Sequence, residues 1–275
     1  MGYQFGICEW SLPVSGPLAI RLAGEAGFAG IQLGEAGGRA LGFPLTHPRV
    51  QAAILEAAEE SGVCLHSLNL GVLLSEGTLN ENPASSRGAA ARESLCRGIS
   101  ACRALGIPVM VVTADPATEE AAEHVVTHLR TVSERARDSG VEIALECALP
   151  LERIQGLLQR LDDGVKICMD MLNPLRFGTG DPRRQLRTFG PARISHFHMK
   201  DSLRSLFRPS QRGCVPLGTG DAGFADSVSA IKAVCASGWV LTENYYYLPS
   251  MNDGQADFLA LAARDLATLQ QAFAF

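Results

Sequence analysis

The sequence has no apolar run long enough to span a membrane. Its start, Met1-Gly2-Tyr3-Gln4, lacks the basic segment followed by an apolar one that marks a secretory leader. These absences point to the cytoplasm and to no membrane partner. No lysine–arginine cluster is present, and 24 basic against 29 acidic residues leave a net charge of −5 with a pI near 5.7. Gripping a phosphate backbone takes the opposite balance, so no nucleic acid partner is expected. The eight cysteines form no CxxC pair and no disulfide framework is expected. Cys64, Cys147 and Cys168 lie in or beside apolar runs and read as small buried hydrophobes. Low-complexity segments, linkers and long repeats are missing as well. What is plentiful is apolar residues: 47% of 275, with mean hydropathy +0.10, enough for one large α/β domain or two small ones.

The apolar runs alternate in type along the chain. Strands are expected at Gln4–Trp10, Gly30–Leu33, Cys64–Leu70, Val109–Thr113, Val141–Glu146, Val165–Asp170, within Ile194–Asp201, and at Trp239–Glu243. Between them, helical spacing covers Pro17–Ala26, Pro48–Ser61, Ser85–Leu105, Thr118–Ser139, Glu152–Leu161, Pro182–Thr188, Phe224–Ala236 and Gln255–Phe273, with Gly27, Gly62, Gly106 and Gly140 as stops. Strict βα alternation implies parallel strands. Eight of them in this length point to an α/β fold, a closed (β/α)8 TIM barrel forming a single domain over residues 1–275. An open doubly wound sheet would carry a glycine-rich phosphate turn after its first strand, and Glu9-Trp10-Ser11-Leu12-Pro13 is not one.

The stretch Ile194-Ser195-His196-Phe197-His198-Met199-Lys200-Asp201 organises the rest. It reads as a buried strand whose end carries four polar or ionisable groups, with His196, His198 and Lys200 on one face. In a barrel the strand ends meet at one mouth, and strands five to eight end in Glu146, Asp170, His198 and Glu243. A single glutamate at a strand end is more often a helix cap or a solvated rim residue, and a single histidine more often a satisfied core group. Four on four consecutive strands argue for a shared site. Three carboxylates share a buried site as anions only around something positive, and a divalent metal meets that need. Three carboxylates and one imidazole suit Mn²⁺ first or Mg²⁺, with Co²⁺, Zn²⁺ and Fe²⁺ compatible. His196 either faces the mouth beside His198 or orients a ligand from behind.

The set Glu146, Asp170-Met-Leu-Asn173, His196-Phe-His198-Met-Lys200-Asp201 and Glu243 resembles the xylose-isomerase-like barrel superfamily of sugar-phosphate isomerases and epimerases. Gly180-Asp181-Pro182, Pro216-Leu217-Gly218-Thr219-Gly220-Asp221 and Phe224 extend the resemblance. It implies that Glu146, Asp170, His198 and Glu243 bind one metal and that Glu146 and Glu243 are the catalytic pair. A C–H beside a carbonyl is a weak acid, so its removal needs a base on one face, an acid on the other, and stabilised enediolate oxygens. The metal implied by the resemblance would supply that stabilisation by chelating the carbonyl and its neighbouring hydroxyl.

Two departures stand out. Many relatives have histidine three residues after the sixth-strand aspartate, where this chain has Asn173 followed by Pro174. The tri-zinc nuclease branch needs further histidines; His66 matches one, but Thr113-Ala114 and the loop Gln211–Pro216 lack the others. Substrate contacts are expected from His66, Asn173, His196, Lys200 and Arg212, with Glu35 and Trp10 as further candidates. Whether the carbohydrate substrate is phosphorylated stays open. Other readings are a keto-inositol dehydratase (a lyase) and a sugar-binding accessory subunit that has lost turnover. The resemblance also implies a homo-oligomer.

Overall fold

The computed structural model describes residues 2–161, 163–206, 213–251 and 257–274. Eight strands, β1 (Tyr3–Cys8), β2 (Gly30–Gly34), β3 (Cys64–Asn69), β4 (Val109–Thr113), β5 (Glu142–Glu146), β6 (Val165–Asp170), β7 (Ile194–Met199) and β8 (Gly238–Thr242), close into a barrel in chain order. The pairings are parallel, and β1 returns to β8 with Tyr3 opposite Gly238. The helices α1 (Pro17–Glu25), α2 (Pro48–Ser61), α3 (Val72–Ser75), α4 (Ser86–Leu105), α5 (Glu119–Asp138), α6 (Leu151–Arg160), α7 (Asn173–Arg176), α8 (Pro182–Phe189), α9 (Phe224–Val234) and α10 (Phe258–Phe273) lie between strands or follow the last. Among the described residues no helix is long and apolar enough to cross a membrane.

Several expected boundaries move. The first strand ends at Cys8, and Glu9–Ser11 turn as a short 3-10 helix instead of extending to Trp10. Two short helices, α3 and α7, had no helical spacing to announce them. In α7, the Asp170 carboxylate accepts the N–H groups of Leu172 (2.7 Å) and Asn173 (2.6 Å), starting a turn in which Pro174 needs no donor. The expected closing helix began at Gln255, which lies outside the described residues; Phe258 starts it after an Asp257 cap on Ala260 N–H.

The chain divides into two compact units. Residues 1–32, 57–64 and 168–275 hold β1, β2, β7 and β8 around Ile7, Ile31, Phe197, Val240 and Leu241, all buried. Gly30 allows close packing here, since a Cβ would meet the Trp239 ring at 2.7 Å.

Residues 33–56 and 65–167 hold β4 between β3 and β5, with Leu68, Met110, Val111, Leu95 and Ile99 buried. Its long helices are capped as elementary chemistry requires. Ser85 accepts the Gly88 N–H at the start of α4, Thr118 accepts that of Ala121 in α5, and α5 carries Glu119 and Glu120 in its first turn and Arg135 and Arg137 in its last. Cys64 opens β3 exposed and Cys147 is half-buried, so only Cys168 of the three named thiols is a buried one.

Candidate active site

The ends of β6 and β8 meet on one ammonium carried at the end of β7. Lys200, just past β7, sits with Nζ 2.6 Å from Asp170 Oδ2 at the end of β6 and donates to Glu243 Oε2, just past β8. All three side chains are buried. Glu243 Oε1 takes a second hydrogen bond from Trp10 Nε1 at 2.9 Å, so the turn after β1 orients that carboxylate. His198 Nδ1 lies 3.5 Å from Glu243 Oε2. Asp170, His198 and Glu243 thus each bring a ligand-type atom within 4.8 Å of the others.

Behind this cluster lies a fixed backing. His198 Nε2 is 2.6 Å from Gln32 Oε1, and Cys8 Sγ approaches the same oxygen at 3.6 Å. A ring nitrogen that donates to an amide oxygen carries a proton, and Nδ1 is the nitrogen turned to the Glu243 side. Cys168 Sγ lies 3.5 Å from His198 Nε2, and His196 stands edge-on to His198 at 5.4 Å between ring centroids. His196 is wholly buried with Nδ1 3.2 Å from Ser195 Oγ. Cys168, His196 and His198 form a second tight group of ligating atoms.

Asp201 is the surprise of the organising stretch. Although it follows Lys200 directly, it faces away from the ammonium. Oδ1 accepts the N–H groups of Ser202 (2.9 Å) and Ala222 (3.2 Å), and Oδ2 those of Gly218 and Gly220 (both 3.0 Å). A Cβ on Gly220 would lie 2.3 Å from Oδ1, which explains the glycine in Pro216-Leu217-Gly218-Thr219-Gly220-Asp221. Asn244, the residue after Glu243, accepts the Asp201 N–H and donates to Val215 O and to buried Asp265 of α10. Burial pushes the Asp265 carboxyl up to about 6 against the bonds from Asn244 and Leu217 N–H that oppose it.

In the second unit Glu146 ends β5, buried, opposite Thr113 of β4, whose hydroxyl donates to Glu146 Oε2 at 3.3 Å. Asp115 follows, its Oδ1 accepting Ala148 N–H at 2.6 Å; burial raises its pKa and neighbouring Glu146 adds to that. His66 is buried on β3 with Nδ1 3.0 Å from Ser67 Oγ. Glu35 follows β2 and accepts the Val72 N–H with Oε1, while Oε2 is buried without a hydrogen-bond partner among the described residues. Burial lifts this carboxyl to about 7, against the Val72 bond.

Asn173 opens α7 half-buried, and Arg212 lies outside the described residues. Sequence reasoning missed Gln32, Asp115 and the structural use of Asp201. A glutamine in the otherwise apolar run Gly30-Ile31-Gln32-Leu33 was the one available signal for the first.

Residues 20–264 match the family described as xylose isomerase-like TIM barrel. The chain is 30% identical over 238 residues to 2-epi-5-epi-valiolone 7-phosphate 2-epimerase of Actinoplanes sp., covering 84% of this chain and 83% of that one. Among solved structures, D-allulose 3-epimerase from Methylomonas sp. superposes with a TM-score of 0.76 at 18% identity over 98% of both chains. The IOLI protein, solved with a binding zinc atom, gives 0.74 at 16% identity, also over 98% of both.

Proposed function

The chain belongs to the xylose isomerase-like TIM barrel family, and we propose that it is a metal-dependent carbohydrate isomerase or epimerase that moves a proton at a carbon beside a carbonyl. One observation carries the reading: a buried imidazole and two buried carboxylates gathered on one ammonium, at the strand ends where barrels keep their chemistry. In this reading Glu146, the buried residue that ends β5, is the fourth ligand.

The donor set fits a divalent ion. Glu146, Asp170 and Glu243 offer carboxylate oxygens and His198 an imidazole nitrogen, all from buried residues. Three carboxylates against the single ammonium of Lys200 leave two negative charges, the amount one divalent cation cancels. Oxygen-rich coordination favours Mn²⁺ or Mg²⁺ over softer choices. When bound, such an ion would polarise the substrate carbonyl and hold the charge that develops on it.

The chain's own groups do the rest. Trp10 fixes the face that Glu243 presents, and Gln32 fixes the ring of His198. Glu146 and Glu243, from strands five and eight, are the acid and base on opposite substrate faces. Lys200, Asn173 and His66 are polar groups for the substrate hydroxyls, His196 backs the His198 ring instead, and in this reading Lys200 also offsets the acidic charge.

Metal per chain, measured on wild type and His198→Ala, tests the site. About one divalent ion, lost in the variant, is the expected result; none after Mn²⁺ reconstitution would remove the mechanism. Asp170→Ala should likewise lower metal content. Solvent exchange of a ketose C–H in deuterium oxide tests the reaction. Glu243→Gln should abolish it while the circular dichroism stays that of wild type, and retained exchange would take the base role from Glu243.

A further inference from the structure

Arg176 closes α7, on the segment that leaves β6 directly after Asp170. An arginine there reads as a surface residue, yet it is only 9% exposed. Its Nη2 donates to Gly213 O at 3.2 Å, a carbonyl that already accepts Ser202 Oγ at 2.6 Å. Among the described residues, buried Nε has no hydrogen-bond partner and no carboxylate pairs with the guanidinium. Through the Gly213 carbonyl that it shares with Ser202, the guanidinium is tied to the loop two residues past Lys200, while its own segment starts at Asp170.

Burying an ion without a counter-charge is among the costliest arrangements a fold can keep. Guanidinium does not escape by losing its proton. Lys200 has two carboxylates and Asp201 four N–H groups, but among the described residues Arg176 has one shared carbonyl. Its planar fork matches an oxyanion in two parallel hydrogen bonds.

We infer that Arg176 is the receptor for an oxyanion substituent, a phosphate ester or a carboxylate, on the carbohydrate that this site turns over. The inference deepens the isomerase reading and rests on it only for the identity of the ligand as substrate. An anionic carbohydrate then spans from Arg176 to the Asp170–Lys200–Glu243 cluster, and a neutral sugar leaves the guanidinium unanswered.

The test uses the full chain as wild type, Arg176→Gln and Arg176→Lys, melted with increasing inorganic phosphate. Wild type should gain melting temperature with phosphate, Arg176→Gln should bind it roughly tenfold or more weakly, and Arg176→Lys should fall between. Without phosphate, Arg176→Gln should melt no lower than wild type, since it loses an unpaired buried charge. No stabilisation of wild type, equal stabilisation of all three, or a lower melting temperature in Arg176→Gln alone would overturn the receptor role. If Arg176→Gln does not fold, Arg176→Lys carries the comparison, because it keeps charge and loses the fork.

A second arm follows exchange in deuterium oxide with a neutral ketose, a ketose phosphate and a keto-aldonic acid. Preference for one anionic substrate, lost in the variants, supports the receptor and names the anion. Equal turnover of neutral and anionic sugars overturns it while leaving the isomerase reading intact. Arg176-dependent phosphate binding with no exchange on any sugar keeps the anion site and sinks the reaction.

Discussion

Two regions grow from the same two strand ends and differ in kind. Lys200 and Glu243 meet each other in the charged cluster, whereas Asp201 and Asn244, one residue further on, meet each other in the loop framework. Successive side chains of an extended segment point to opposite sides, so one residue of each pair goes to chemistry and the next to architecture. In the framework every partner is fixed. Asp201 takes four backbone N–H groups, and Asn244 ties Val215 and Asp265 to the same loop. In the cluster the partners of Lys200 and Glu243 are other side chains, which a substrate or ion can displace. Backbone partners make a polar group permanent, and side-chain partners leave it available.

The strongest way to break this contrast is Asp201→Asn. An amide would turn a donor toward two N–H groups, and a loss of about 5 kcal/mol in urea unfolding is expected from two missing charge-assisted bonds and the new conflict. A change near zero would mean that the loop is held by other contacts. Lys200→Met should cost less, about 3 kcal/mol, because it leaves buried carboxylates without their cation. Added Mn²⁺ should recover this variant, with a larger rise in melting temperature than in wild type. An equal rise would show that the ammonium does not offset the acids. The smallest effect is Glu35→Gln, which keeps an acceptor for Val72 N–H. The Glu35 pKa is raised to about 7 in the fold, so its stabilising contribution is full at acid pH and lost as pH rises through 7. The variant should melt with wild type at pH 4 and above it at pH 8.

Much of the barrel was legible because each strand run is apolar and each long helix is bounded by glycine or a capping residue. The ends of β5 to β8 were legible for the same reason, a charged group closing an apolar run. What escaped were groups whose partners are distant in the chain. Gln32 supports His198 across 166 positions, and Asp201 folds a loop that begins beyond residues outside the description. Nothing in the sequence around Pro174-Leu175-Arg176 marks the arginine as buried, since burial is decided by tertiary packing. The turn at Glu9–Ser11 was hidden by the apolar run into Trp10, whose ring serves Glu243 from a 3-10 turn and not from a strand.

The adjacency of Lys200 and Asp201 also bears on how β7 finds its place. A strand can slip along its neighbours, and a slip of one residue exchanges the two faces. In β7 that exchange would bring Asp201 against Asp170 and Glu243 and turn Lys200 toward the four N–H groups of the loop. Acid would face acid on one side and donor would face donor on the other. The alternation of sign at the strand end is therefore a lock on alignment: it penalises the misthreaded barrel twice, before any ligand has entered.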